Sequence, residues 1–371
     1  MNFIIEDHTI LLTLTGSRAY GTYTENSDWD LKGIAVAPLN TYLGATKNFE
    51  QFEGKFKQTP SILGAVRENY ESVVYDIRKF CNLAIQNNPN ILEIIFLPEN
   101  YWITKSHWYS NHLIHNKDMF LSKKCRYSYA GFAHAQLKRI RSHREWLLAP
   151  PTHQPSRKEF GLSEQQSMDH NQLKAATSLI DKQIEQWMLH PEEEIPITVL
   201  CRARESIIDL VSNLFVLKNQ QEVNDELVRA AAKKYSFDTN FSEVIVRERS
   251  YKAALNRWNQ YLTWKEERNQ VRSALEAKYG FDCKHASHLV RLLRTCKELL
   301  TTGKLIVNRP DAEELLAIRN GAWTYEKVEE YAESMDKEMD VLYKTSVLPY
   351  SPNIDKINQL CELTIREFHN L

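Results

Sequence analysis

The feature that most constrains the fold is a strand, a polar turn and a second strand within residues 11–36. Leucine and threonine alternate up to Thr15, which is typical of a strand, and the pattern breaks at Gly16. A polar loop follows, and strand-like sequence resumes at residues 29–36. The stretch therefore predicts two strands joined by a polar loop, with any chemistry concentrated where the strands meet it.

Two aspartates, Asp28 and Asp30, stand at the start of the second strand. Side chains at i and i+2 of a strand share a face, so the carboxylates are held close together. Their repulsion is costly unless a cation such as a divalent metal neutralises it. An isolated D-x-D is more often a turn and a solvated residue. Here Gly16 and Ser17 precede it and offer backbone N–H groups and a hydroxyl to a phosphate, so the combination predicts a phosphate-and-metal site.

The segment GSRAYGTYTENSDWDLKG (16–33) resembles the G-S…D-x-D signature of nucleotidyltransferases of the DNA polymerase β superfamily. It is closest to the branch with a G-S-R-A-[YW]-G…S-D-x-D form, some members of which are associated with RNA repair. Further matches lie at 75–96, 279–293 and 309–328. The resemblance implies an α+β fold, with a mixed sheet and helices in a catalytic domain at 1–118. A mainly helical domain at 119–371, with a loop at 149–166, is expected to close the active site.

Superfamily active sites take a third carboxylate from a strand beside the D-x-D strand. Glu71, in the strand predicted at 67–76, is the candidate, and Asp76 competes with it. Asp76 precedes a helix with helical apolar spacing, which favours a helix N-cap. Glu93 is either a site residue or a structural acid bonded to backbone amides. Valines at 73 and 74 keep open a protein with only two metal-binding carboxylates.

The remaining sequence is predominantly helical, and two of its helices carry basic residues. A helix at 120–148 has a basic run that is either a solvated face or a surface for a polynucleotide backbone. A helix at 283–300 presents a stripe at i, i+4 and i+7 that suits phosphate oxygens, and the family pattern supports that choice. The first set is Lys138, Arg139, Arg141 and Arg144, and the second is Lys284, His288 and Arg291, with His285 a weaker candidate. Arg319 and Trp323 lie in a family-like segment, where they either act or only pack.

Several further elements follow from the pattern. Helices are expected at 200–216, 219–234 and 241–279, and a short strand at 304–307. Asp311 is expected to cap the next helix.

Composition excludes few functions. The formal net charge is −1, so any nucleic-acid surface must be local. The six cysteines form no C-x-x-C pair, which argues against a zinc site and favours a reducing cytoplasm. No apolar run approaches about 18 residues, so no membrane span is expected.

The resemblance implies Mg²⁺- (or Mn²⁺-) dependent transfer of a nucleoside monophosphate from an NTP, ATP included, to an acceptor hydroxyl, with release of pyrophosphate. The carboxylates of Asp28, Asp30 and Glu71 would hold the metal. The nucleotide would be bound by Gly16, Ser17, Arg18, Lys284, His288 and Arg291. An RNA or tRNA end is the expected acceptor. The alternatives are a protein hydroxyl, as in toxin–antitoxin nucleotidylation, and an inactive nucleotide- or RNA-binding module.

Overall fold

The computed structural model describes residues 3–25, 27–45, 48–106, 109–164, 170–189, 225–237, 239–268 and 270–371. The chain divides into two compact units, Met1–Ile140 with Phe281–Leu371, and Arg141–Gly280. The helix predicted at 200–216 lies outside the described residues. No helix in the described ranges is both long enough and apolar enough to cross a membrane.

The strands of the described chain belong to the first unit. In chain order they are β1 (Thr9–Thr15), β2 (Asp30–Ala35), β3 (Gln51–Glu53), β4 (Ser61–Ile62), β5 (Ala65–Val66), β6 (Glu71–Asp76) and β7 (Trp102–Lys105). Five form a mixed sheet of order β3-β6-β2-β1-β7, and β4 pairs with β5 alone. The pair β2–β6 is parallel, and the other pairs are antiparallel. The expected α+β fold is confirmed.

Helices connect and cover the strands. Those up to the middle of the chain are α1 (Ile5–His8), α2 (Gly16–Tyr20), α3 (Leu39–Leu43), α4 (Ile77–Ile85), α5 (Pro89–Phe96), α6 (Tyr109–His115) and α7 (Cys125–Leu148). The later ones are α8 (His170–Leu189), α9 (Asp225–Lys234), α10 (Thr239–Glu266), α11 (Gln270–Tyr279), α12 (Cys283–Thr302), α13 (Ala312–Arg319), α14 (Tyr325–Thr345) and α15 (Ile354–Phe368). Short 3₁₀ turns lie at Glu99–Tyr101, Lys117–Phe120 and Arg157–Phe160.

The two faces of the sheet differ because side chains alternate along each strand. One face carries apolar residues into a core with the segment between β3 and β6. Its buried members include Leu12, Leu14, Leu31, Val74, Phe56 and Ile62. The opposite face carries Thr15, Asp30 and Glu71, which are paired across three strands. The polar face is therefore where chemistry can occur.

The C-terminal helices pack onto the sheet region rather than forming a domain of their own. Helix α15 packs against α4 and α6, and α12 packs against α13 and α14. The main chain of Arg309 donates to the Tyr20 carbonyl, and the Asn308 amide donates to the Ala19 carbonyl. The boundary expected at residue 118 separates strands from helices. The contacts instead join residues 281–371 to the sheet, because these helices bury their apolar faces there.

The second unit is helical. Its core lies between α8, α9 and α10 and includes Ile180, Val228 and Ile245, all fully buried. The single helix expected at 241–279 is wrong, because α10 ends at Glu266 and α11 begins at Gln270. Arg268, at the break, pairs with the buried carboxylate of Glu276 at 2.7 Å. That contact is made by folding back and has no signature in the helical pattern.

Two other local expectations are wrong. Residues 304–307 pair with no strand in the described part of the chain. Asp311 stands at the N-cap position of α13, but its side chain makes no cap hydrogen bond. It accepts from Arg294 at 2.7 Å and from Arg309 at 2.9 Å instead. Two guanidinium groups outcompete a backbone N–H for this carboxylate because charge-assisted hydrogen bonds are the stronger ones.

Candidate active site

Asp30 and Glu71 lie opposite each other at the start of two neighbouring parallel strands. They are register partners in the β2–β6 pair, and the Glu71 N–H donates to the Trp29 carbonyl at 2.9 Å. Register partners point to the same face of a sheet, so both carboxylates reach the polar face at one edge. Asp28 is two residues ahead of Asp30 and is exposed. The ligand oxygens of the three acids are not all within 4.8 Å of one another.

Gly16 brings the end of β1 against the Asp30 carboxylate. Its φ is +67°, and a Cβ built on it would lie 2.1 Å from Asp30 Oδ2. Thr15, the register partner of Asp30, donates its hydroxyl to the Asp30 carbonyl at 3.1 Å. Only glycine fits this close approach and this backbone conformation. The structure therefore brings Gly16, with Ser17 directly after it, to the acids that the sequence singled out.

The charges around Asp30 both oppose and support its ionisation. Burial raises the pKa of Asp30, and the nearby Asp28 and Glu71 carboxylates raise it further. The positive charges of Lys32 and Lys284 act in the opposite direction. Lys284, exposed at the start of α12, is thus close enough to influence Asp30 electrostatically.

The other two residues of the α12 stripe are more buried. The Arg291 guanidinium lies 3.8 Å from the centre of the Tyr20 ring, and its Nε has no hydrogen-bond partner in the described part of the chain. Burial lowers the pKa of His288, and the charge of Arg291 lowers it further, so the imidazole is neutral at pH 7. The stripe therefore offers two cations and one neutral ring beside α2. His285 is partly buried and lies near the N-terminus of α12.

Arg18 makes contacts that its predicted nucleotide-binding role did not include. Its Nη2 donates to the Ser27 carbonyl at 2.7 Å, and its Nε donates to the Asp28 carbonyl at 3.2 Å. The guanidinium also lies 3.7 Å from the centre of the Trp29 ring, and Arg67 lies 4.8 Å from it. Arg18 thus holds the turn that carries Asp28 and Asp30. Its position in the G-S-R sequence gave no sign of this, because its partners are backbone carbonyls.

Asp76 is an N-cap, as its position before a helix indicated. Its carboxylate accepts from the Arg78 N–H at 3.0 Å and from the Tyr42 hydroxyl at 2.8 Å. It lies at the far end of β6 from Glu71 and is only 1% exposed. The structure thus separates the two acids that competed for the third carboxylate.

Glu93 and Lys32 form a buried pair that the sequence pattern did not reveal. Glu93, in α5, accepts from the Lys32 ammonium at 2.6 Å and from the Tyr20 hydroxyl at 2.5 Å. Its partners are side chains, so the alternative of an acid bonded to backbone amides is wrong. The available signal was the position of Lys32, two residues after Asp30 and hence on the same face of β2.

The basic run in α7 is mostly exposed. Lys138, Arg139 and Arg141 are exposed, whereas Arg144 is half-buried and donates to the Gly280 carbonyl at 3.1 Å. Arg319 donates to the Thr22 carbonyl at 2.9 Å, and Trp323 is buried and packs edge-on against Tyr331. The last two residues therefore make structural contacts.

The fold and site define the N-terminal part of the chain as a nucleotidyltransferase region of the DNA polymerase β type. Residues 4–150 match RlaP, the RNA repair pathway DNA polymerase beta family, which confirms the resemblance seen in the sequence. The chain is also similar to the uncharacterized 38.9 kDa protein in the nrdC-mobD intergenic region of Enterobacteria phage T4. The two are 22% identical over 344 residues, covering 90% of this chain and 88% of the phage protein. No solved structure matches the chain.

Proposed function

We propose that the protein transfers a nucleoside monophosphate from an NTP to the hydroxyl of an RNA end, with pyrophosphate as the leaving group. The observation that carries the proposal is the approach of Gly16 to Asp30, directly opposite Glu71. This arrangement places a glycine turn, suited to phosphates, against acids suited to a hard cation. The RNA repair family matched by residues 4–150 supports the same reaction class.

The donor set fits a divalent metal. Asp30 and Glu71 share one face, exposed Asp28 can turn towards them, and carboxylate oxygens are the ligands that Mg²⁺ and Mn²⁺ prefer. When bound, the metal would polarise the phosphate and favour the ionised acceptor hydroxyl. Arg18 keeps the turn that presents Asp28 and Asp30 in place, a role we assign to it instead of contact with the nucleotide.

The phosphate-binding part is assigned to α2 and α12. The backbone at Gly16 and the hydroxyl of Ser17 face the triphosphate, and Lys284 supplies positive charge near Asp30. Arg291 adds a second cation, and neutral His288 offers one N–H donor. As the acceptor oxygen bonds to the α-phosphorus and the bond to the β-phosphate breaks, charge grows on the leaving pyrophosphate. Fixed cations lower the energy of that transition state.

The acceptor is assigned to RNA because Lys138, Arg139 and Arg141 are exposed on one helix. Contacts to several phosphates make binding depend steeply on salt. We therefore expect the KM for an RNA acceptor to rise sharply between low and physiological salt, and charge removal at these three positions to flatten that dependence.

The test is incubation of the purified protein with each α-labelled NTP, Mg²⁺ or Mn²⁺, and total cellular RNA. Asp30→Asn and Glu71→Gln should abolish labelling of RNA, with a loss in kcat rather than in NTP affinity. Asp76→Asn is the matched control. It should remain active while losing about 2 kcal/mol of stability, since it weakens a buried hydrogen-bonded carboxylate. Undiminished labelling by Asp30→Asn would contradict the proposal, and label on protein with a flat salt response would move the acceptor from RNA to a protein hydroxyl.

A further inference from the structure

We propose that Glu93 is a positioning residue that keeps the ammonium of Lys32 away from the metal-binding carboxylates. The inference rests on the proposed function, because it assumes that Asp28, Asp30 and Glu71 hold a metal. It assigns a role to a buried ion pair that takes no part in the transfer itself.

The first observation is the register of β2. Asp30 is the partner of Glu71, and Lys32 is the partner of Val73, so both β2 side chains point to the polar face. Two residues of a strand span roughly 6.6 Å. The flexible four-carbon stem of lysine covers about that distance, so the Lys32 ammonium is within reach of the Asp30 carboxylate.

The second observation is where the ammonium lies instead. The Lys32 Nζ is 2.6 Å from Glu93 Oε1, and it also donates to the Asn90 carbonyl at 3.2 Å. Both acceptors belong to α5, which packs on β1. The structure thus directs the cation towards the covering helix.

The third observation is that Glu93 is itself fixed. Its side chain is 5% exposed, and its second oxygen accepts the Tyr20 hydroxyl at 2.5 Å. The Tyr20 ring is covered in turn by the Arg291 guanidinium. A carboxylate held from two sides in a buried place can hold a flexible lysine in one position.

Removal of the charge on Glu93 leaves a poorly solvated ammonium without its partner, which is strongly unfavourable. The nearest alternative is the group of acids at the end of β2, where three negative charges already repel one another. An ammonium bound there would occupy oxygens that a divalent ion needs. Glu93 therefore prevents an internal competitor from blocking the metal site.

The experiment measures Mn²⁺ binding directly, by the loss of the free-ion electron paramagnetic resonance signal, with thermal unfolding as a check on the fold. Glu93→Gln should weaken Mn²⁺ binding about tenfold, whereas Lys32→Met combined with Glu93→Gln should restore it to within about threefold of the wild type. Tyr20→Phe is the matched control. It removes one hydrogen bond from Glu93 but keeps the ion pair, so Mn²⁺ affinity should stay unchanged.

The outcomes separate the two proposals. If Asp30→Asn binds Mn²⁺ as the wild type does, the metal site is wrong, and this inference is wrong with it. If Asp30→Asn loses binding while Glu93→Gln keeps wild-type affinity, only the inference is overturned. Equal weakening in the single and double variants, or in Tyr20→Phe, would show general damage to the site and would also overturn it.

Folding failure is covered as well. A Glu93→Gln protein that does not fold, beside a double variant that does, would mean that the released ammonium finds no partner, contrary to the inference. Lys32→Gln gives a test that keeps Glu93 and its bond to Tyr20. We expect its Mn²⁺ affinity to lie within about threefold of the wild type, and a gain of about tenfold or more would show that Lys32 already occupies the carboxylates.

Discussion

At the scale of a single residue, the Asp30 carboxyl is a group whose charge the fold disfavours. Burial raises its pKa, and the two neighbouring acids raise it further. A raised native pKa means that the folded state binds this proton more tightly than the unfolded chain does. The ionised carboxylate therefore lowers stability, and stability falls as pH rises from the unfolded pKa through the native pKa.

Asp30→Asn should accordingly stabilise the metal-free protein while it abolishes transfer. We expect the Tm at pH 7 to rise by roughly 1–3 °C, because the substitution removes a partly buried charge beside two like charges. The gain should shrink as pH falls through the native pKa of Asp30, where the wild-type carboxyl is protonated too. Calorimetric scans across pH measure this, with exposed Asp28→Asn as the control that gains less. A lower Tm for Asp30→Asn at pH 7 would contradict the electrostatic account.

At the scale of an element, the turn from β1 into α2 depends on one glycine for two reasons. Gly16 has a left-handed backbone conformation, and its Cα faces the Asp30 carboxylate. The first reason concerns the chain alone, and the second concerns a residue 14 positions later. A matched pair of substitutions separates them.

Gly16→Ala should cost about 1–2 kcal/mol of stability and reduce transfer more than tenfold, since the new Cβ displaces the Asp30 carboxylate. Gly64→Ala is the control, because Gly64 also has a positive φ, +80°, but a Cβ there meets nothing within 4 Å. It should show the backbone cost and full activity. Urea unfolding and the labelling assay measure the two effects. Equal activity in both variants would mean that the approach of Gly16 to Asp30 has no catalytic importance.

At the scale of the whole molecule, the sheet depends on residues far along the chain. Helix α15 covers α4 and α6, and the His369 imidazole Nε2 lies 3.0 Å from the Ala37 carbonyl oxygen. The main chain of Arg309 bonds to the Tyr20 carbonyl at the end of α2. The first unit thus needs two distant segments of the sequence.

The fragment 1–118 should therefore fail to unfold cooperatively, because the apolar surface that α12–α15 cover would be left in water. Fragments 1–140 and 281–371, produced together, should copurify and unfold in one transition. Size-exclusion chromatography and circular dichroism measure this. Cooperative unfolding of 1–118 alone would show that the division expected from the sequence is also the folding unit.

The sequence by itself determined the features that depend on neighbours along the chain. Strand alternation placed β1 and β2, the spacing of Asp28 and Asp30 put two carboxylates on one face, and helical spacing after Asp76 indicated its cap. Superfamily resemblance selected Glu71, and the register of β2 with β6 places it opposite Asp30. These inferences succeed because periodicity and capping are local and depend on few residues.

Only the tertiary structure decided which distant groups meet. The pairing of Lys32 with Glu93, the contact of Arg18 with the Ser27 and Asp28 carbonyls, and the joining of residues 281–371 to the sheet depend on packing between separate elements. A buried charge must find a partner wherever the fold brings one, and sequence spacing does not record that position. The sequence therefore located the acids, and tertiary packing decided which cations and hydrogen-bonding groups surround them.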